Sequence, residues 1–192
     1  MLVIQVLLFM LSEQERKILL DLARSSIKGD LPDLEIIEQT VSENLKKPKG
    51  VFVTLTENGE LRGCIGNIVP VEPLYKAVIS CARDAAYRDW RFPPVREYEI
   101  DLLKIEISVL SDLTPLEYST VEDLLGKLDE SLGVVIEKEA HRATFLPQVW
   151  EELPKKEDFL SHLCVKAGLS PDEWKSGKLK ISVYTVEKFS EE

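Results

Sequence analysis

Val51-Phe52-Val53-Thr54-Leu55-Thr56-Glu57-Asn58-Gly59-Glu60-Leu61-Arg62-Gly63-Cys64-Ile65-Gly66-Asn67 is the stretch whose reading decides the fold. Two β-rich runs flank Asn58-Gly59. The central residues of a tight hairpin turn need positive φ, which asparagine and glycine tolerate, so the pattern predicts a hairpin. A two-residue turn fixes the register: Glu57 opposite Glu60, Leu55 opposite Arg62, Val53 opposite Cys64, Val51 opposite Gly66. Side chains alternate along a strand, so Arg62 and Cys64 are expected on one face and Leu61 and Ile65 on the other. Gly63 and Gly66 weaken a strand, and such glycines mark a bulge or a close approach by ligand or backbone.

Helices surround this hairpin. Ser12 and Glu15 form a capping-box pattern at the start of a helix running to Lys28, which Gly29 ends. Leu34, Ile37, Val41 and Leu45 suggest a second, weaker helix. Lys46-Lys47-Pro48-Lys49-Gly50 is expected as a solvated loop. Pro73 opens a helix over Glu72 to Asp89, whose Leu74, Ala77, Val78, Cys81, Ala82 and Ala85 make one stripe. Arg91-Phe92-Pro93-Pro94 stops it. Leu102 to Leu110 alternates as a half-buried strand. A short helix at Thr120 to Glu130 precedes a second hairpin, Gly133 to Glu137 and Ala143 to Leu146, across Lys138 to Arg142. A helix over Glu157 to Ala167 closes at Gly168, and Lys178 to Phe189 is expected as one final strand. Hairpins alternating with helices, with no βαβ phosphate-binding loop, predict an α+β fold built on an antiparallel sheet.

Composition narrows the function classes. At 192 residues, 44% hydrophobic and 30% charged, the chain can bury a core without staples. Its net charge of -10 repels a phosphate backbone, so nucleic acid is not an expected partner. Met1 to Leu11 is apolar but lacks a basic leader and is too short for a membrane span, so no membrane partner is expected either. Residues 1–9 read as an arm or an extended start, with a single domain expected over 10–192. Cys64, Cys81 and Cys164 show no C-x-x-C spacing, which argues against a disulfide framework and for a reducing, cytoplasmic compartment. With His141 and His162 they offer no metal-ligand spacing, so no metal and no cofactor are expected.

Leu61-Arg62-Gly63-Cys64-Ile65-Gly66, preceded by Gly50-Val51-Phe52-Val53-Thr54-Leu55, resembles the signature of the AMMECR-type domain family, also called AmmeMemoRadiSam system protein A. Ala85-Ala86-Tyr87-Arg88-Asp89-Trp90-Arg91-Phe92-Pro93-Pro94 and Phe145-Leu146-Pro147-Gln148-Val149 extend the match. So do Phe159-Leu160, Cys164-Val165-Lys166-Ala167-Gly168-Leu169 and Trp174. The likeness runs in order from about Leu11 to the C-terminus. Trp90 departs from it, standing where such proteins more often have proline, and Glu139-Ala140-His141 replaces a Gly-richer turn. The resemblance implies two unequal lobes around a cleft lined by the signature, and an association with Memo-type and radical-SAM proteins. The chain lacks the radical-SAM cysteine motif, so it would be a companion of those enzymes.

Several site readings stay open at this level. Cys64 is a candidate nucleophile or redox thiol, since a guanidinium two residues away favours the thiolate; its plainer role is that of a small buried side chain. Arg62 is a candidate anion ligand or the partner of Asp84 or Asp89. Arg88, Asp89 and Arg91 are expected to converge with Arg62 and Cys64, with Gly63 and Gly66 admitting a ligand close to the backbone. The arginines would equally complement the end of their helix. Cys81 and Cys164 are expected in cores and His141 in solvent. Gln148 is expected to bond loop backbone or a ligand. Neither histidine lies in the signature segments, so binding of a small anionic ligand or a partner protein ranks above a thiol-dependent reaction at Cys64.

Overall fold

In the computed structural model, which describes residues 10–191, the first half of the chain holds α1 (Glu13–Lys28), α2 (Leu34–Thr40), β1 (Val51–Glu57), β2 (Glu60–Asn67), α3 (Leu74–Tyr87) and β3 (Leu103–Leu110). The second holds β4 (Thr114–Pro115), α4 (Val121–Lys127), β5 (Gly133–Lys138), β6 (His141–Phe145), α5 (Val149–Glu152), α6 (Lys156–Lys166), β7 (Lys180–Tyr184) and β8 (Val186–Ser190). Short 3-10 helices lie at Glu97–Leu102 and Glu173–Ser176. The fold is α+β. The described residues divide into two compact units, 10–110 with 187–191 and 111–186, each with its own sheet and core. Among the described residues no helix is long and apolar enough to cross a membrane.

In the first unit the sheet order is β2-β1-β3-β8, with β1 antiparallel to both β2 and β3. Val51, Val53 and Leu55 of β1 pair with Val109, Ile107 and Ile105 of β3 and are buried. α3 packs on β1 and β2 through the expected apolar stripe, and α1 packs on α3. The capping box forms: Ser12 Oγ accepts from Glu15 N–H, and the Glu15 carboxylate accepts from Ser12 N–H. Pro73 is the N-cap of α3, whose regular turns are shorter than the sequence pattern at both ends. Lys49, expected in solvent, is only 8% exposed, because the chain turns inward there into buried Gly50 and β1.

The hairpin exists with Asn58 and Gly59 at positive φ, but its register is not the expected one. Glu57 faces Glu60 and Thr56 faces Leu61, and then the ladder shifts: Leu55 faces Gly63, Thr54 faces Cys64, and Val53 faces Ile65. Arg62 is the extra residue of a β-bulge. Burial explains the shift. The expected register would have set Arg62 and Cys64 on the face of Leu55 and Val53, placing a guanidinium in an apolar core. One inserted residue flips the downstream side chains and gives that face Gly63 and Ile65 instead. Gly63 is required there: a Cβ would sit 2.2 Å from the Ala85 carbonyl oxygen of α3.

In the second unit the order is β4-β7-β5-β6. Its hairpin is tighter than expected, with five pairs from Val134↔Phe145 to Lys138↔His141 and only Glu139-Ala140 in the turn. Glu139 takes the left-handed conformation, φ 55, that turn geometry demands. The core centres on Trp150 stacked on Phe159, ring centroids 3.6 Å apart, with Leu160, Leu163, Cys164 and Trp174 buried around them. The expected final strand is two strands: β7 belongs to this sheet and β8 to the other. They part at Thr185, whose main chain is tied to Ser111 by Ser111 N–H to Thr185 O, 2.9 Å, and Thr185 N–H to Ser111 Oγ, 3.0 Å. The reading of residues 1–9 as an arm lies outside the described residues.

Gly63→Ala is expected to destabilise the protein by roughly 3 kcal/mol, since the new methyl meets rigid helix backbone. Gly126→Ala in α4, where a Cβ meets nothing within 4 Å, is expected to stabilise by about 0.5 kcal/mol. Urea unfolding of both variants checks the contrast; equal effects would contradict the close approach of β2 to α3.

Candidate functional site

β2 lies at the edge of its sheet, so main-chain groups pointing away from β1 need partners from elsewhere. At Cys64 the segment after α3 supplies them. Cys64 N–H donates to Asp89 Oδ2 at 2.8 Å, and Arg91 Nη2 donates to the Cys64 carbonyl at 3.0 Å. Asp89 and Arg91 thus meet one residue of the edge strand as a neighbouring strand would. They are locked to each other: Asp89 accepts from Arg91 N–H (3.2 Å), Nε (2.9 Å) and Nη2 (2.6 Å). The Asp89 side chain is 2% exposed and the Arg91 side chain 41%. The Arg91 hydrogen bonds hold the Asp89 carboxyl well below the usual carboxylate range, helped by the Cys64 N–H and opposed by burial. In return Asp89 first, and the nearby Cys64 second, hold the Arg91 guanidinium more firmly charged.

The segment is preorganised. Arg88 N–H closes the last turn of α3 on Asp84 O, Phe92 N–H returns to Asp89 O (3.0 Å), and Val95 N–H to Ala86 O (2.8 Å). Cys64 is half-buried and sits on the opposite face from Val53 and Leu55, because the bulge moved it there. Its sulfur accepts from the Thr54 hydroxyl at 3.3 Å. Phe52 closes this face beyond Gly66, where a Cβ would lie 2.4 Å from the Phe52 ring. Both signature glycines therefore accommodate the protein's own atoms.

Arg62 finds neither Asp84 nor Asp89. Its partner is Glu99 of the 3-10 helix Glu97–Leu102, through Nε to Oε1 at 2.9 Å and Nη2 to Oε2 at 3.3 Å. The two side chains are 11% and 12% exposed. Arg62 first, then the Arg96 N–H, hold the Glu99 carboxyl below its ordinary value. The Nη1 of Arg62 is buried without a hydrogen-bond partner among the described residues. That 3-10 helix is fastened from α1, where Arg24 donates to Ile100 O and to Leu103 O, the latter at 2.7 Å. Glu99 carried no sequence signal, since it lies on no periodic pattern and matters only through its spatial partner; Thr54 stood in the signature strand, but nothing marked it as the partner of Cys64.

Of the sequence-derived candidates, Cys64, Asp89 and Arg91 meet directly. Arg62 is engaged by Glu99. Arg88 pairs with Asp84 at 3.1 Å on an exposed surface, its side chain 76% accessible. Cys81 and Cys164 lie in the two cores, and burial pushes the Cys81 thiol up to about 11. His141 is exposed, yet its Nδ1 lies 2.8 Å from Ala167 O at the end of α6. Gln148 Oε1 is buried without a partner among the described residues. Those residues hold no cluster of three or more metal-ligating side chains.

The AMMECR1 family model matches residues 20–189. A protein of Methanopyrus kandleri is 38% identical, the alignment covering 95% of this chain and 91% of that protein. One from Thermofilum pendens is 37% identical over 94% and 92%. Among solved structures, an uncharacterized Pyrococcus horikoshii protein superposes with a TM-score of 0.81 at 34% identity, covering 95% of this chain and 94% of that one.

Asp89→Asn is expected to cost about 3 kcal/mol at neutral pH, as for a buried charged partner removed. An unfolded aspartate titrates near pKa ~3.9 and the folded one lower, so the clamp stabilises fully above that value. Its contribution is lost as pH falls through the depressed folded pKa. The stability gap between wild type and variant should therefore be flat at neutral pH and narrow below about pH 4. A gap that persists unchanged into strong acid would contradict an ionised Asp89.

Proposed function

The chain belongs to the AMMECR1 family, and we propose that it works as a binding module whose LRGCIG strand and adjoining Asp89–Arg91 clamp receive an anionic group of a small ligand or partner protein. The observation that carries this reading is the state of Arg91. Asp89 and the Cys64 carbonyl hold one edge of its guanidinium, while the side chain remains 41% exposed. Asp89 takes the Nε and Nη2 fork and the Cys64 carbonyl the other Nη2 hydrogen, so a carboxylate or phosphate oxygen would be met by the Nη1 donors of a guanidinium fixed in place. Because the chain is acidic as a whole, such a positive spot would act locally and would not draw extended polyanions.

The role of Arg62 in this reading is to hold the strand. Its pairing with Glu99 fixes the bulge that turns Cys64 out of the core. Cys64 lines the site without needing to react: the hydrogen bond to its sulfur comes from a hydroxyl, a poor general base. A thiol-dependent enzyme is the alternative reading, favoured by the guanidinium beside Cys64. In either case an association with Memo-type and radical-SAM proteins would supply the context. Free thiols fit a reducing compartment such as the cytoplasm.

Iodoacetamide on the native protein is expected to modify Cys64, while Cys81 and Cys164 react only on unfolding. Inorganic phosphate or succinate at millimolar concentration should slow that modification and raise the melting temperature. Arg91→Lys, which keeps the charge but loses the fork, should weaken both effects about tenfold. The reading is overturned if neither anion changes either quantity. Cys64 reacting only on unfolding would remove both the lining role and the thiol enzyme.

A further inference from the structure

Between the two arginines of the clamp segment stands Trp90, 90% exposed. Tryptophan is on average highly buried, and the chain's other two tryptophans obey the rule at 3% and 2% exposure. Trp90 is also rigidly presented. Asp89 O accepts from Phe92 N–H at 3.0 Å, closing a four-residue turn with Trp90 and Arg91 at its corners. Among the described non-glycine residues only Asn58 and Glu139 have positive φ, so both corners are negative, as ordinary side chains prefer. Its first residue, Asp89, is sunk into the protein on Cys64 N–H, and its second corner, Arg91, is bonded to Asp89 and to Cys64 O. The indole is thus a knob on a fixed pedestal.

The two guanidiniums beside it are the more exposed members of their ion pairs. Arg88 and Arg91 flank the indole and are 76% and 41% exposed. The carboxylates of the same segment are committed, Asp84 to Arg88 and Asp89 beneath Arg91. Phe92 adds a half-buried ring, 5.5 Å from the Arg91 guanidinium, and exposed Pro93 and Pro94 stiffen the exit. On a chain of net charge -10 this turn presents aromatic and guanidinium surface outward, with the paired carboxylates lying deeper. Tryptophan and arginine are the side chains most enriched at binding hot spots, and rigid presentation lowers the ordering cost of association.

We infer that the Asp89–Phe92 turn is a docking knob for a partner protein, with Trp90 entering an apolar pocket whose rim carries carboxylates facing Arg88 and Arg91. A convex knob calls for a concave partner, and two flanking guanidiniums call for an acidic one. A single indole on an acidic chain is poorly equipped to hold a lipid surface, since stable membrane attachment takes more than one anchor. The inference shares Arg91 with the anion-binding reading and deepens it by naming the partner's chemistry; the two fail separately, because removing Trp90 should leave the effect of phosphate on Cys64 alkylation intact.

Trp90 supplies its own reporter, as the solvent-exposed indole of the three. Short synthetic peptides rich in aspartate and glutamate with interspersed leucine and phenylalanine serve as the probe. Two controls accompany them, one with lysine for every acid and one with serine for every apolar residue. The acidic, apolar peptides should blue-shift the Trp90 emission, shield it from acrylamide and bind more weakly as salt rises. By calorimetry, Trp90→Ala should abolish binding with the melting temperature unchanged, and Arg88→Gln should weaken it about tenfold. The inference is overturned if the basic or serine peptides bind equally well, if binding survives Trp90→Ala, or if no peptide binds. A blue shift given by anionic phospholipid vesicles and not by peptides would likewise overturn it and assign the turn to a lipid surface.

Discussion

The carboxylate of Asp89 is the group on which the arrangement of the signature strand depends. An ionised carboxylate 2% exposed is tolerated only when paired and hydrogen-bonded, and Asp89 meets that demand with the Cys64 N–H and the main chain and guanidinium of Arg91. In doing so it satisfies an edge-strand amide and orients the arginine whose outer side reaches solvent. The same contact sets the turn that raises Trp90. One buried charge thus links strand, helix end and surface.

A second constraint comes from Gly63. The chain must lay β2 against the Ala85 carbonyl, which only a glycine permits, while keeping Arg62 out of the core. The bulge meets both demands. It spends one residue to turn Arg62 toward Glu99 and Cys64 toward Thr54, leaving Ile65 to face the helix side. The buried Arg62–Glu99 pair is in turn held by a 3-10 helix that Arg24 fastens to α1. What the sequence presents as a run of conspicuous residues is, in three dimensions, a set of nested supports.

Much of the fold was legible in the residues. Asn58-Gly59 announces its hairpin because few residues tolerate the turn's φ values, and Ser12 with Glu15 announces a helix start because their side chains meet the free amides there. The register was not legible, because it is settled by competition between turn geometry and the burial of Arg62, which is a tertiary matter. The break at Thr185 left no trace either: no glycine or proline stands there, and the main chain is turned by Ser111, distant in sequence. Of the site, the meeting of Cys64 with Asp89 and Arg91 could be anticipated from unusual chemistry on neighbouring elements. Glu99 could not, because many carboxylates in an acidic chain are equally available to a lone arginine.

Amide hydrogen exchange at Cys64 tests the central claim most directly. An outward-facing amide on an edge strand exchanges readily unless something holds it. The clamp predicts that the Cys64 amide is protected to the level of the interior strand amides of β1, and that Asp89→Asn removes this protection while the amides of Val53 and Leu55 keep theirs. Exchange of the wild-type Cys64 amide as fast as an unpaired edge amide would contradict the account.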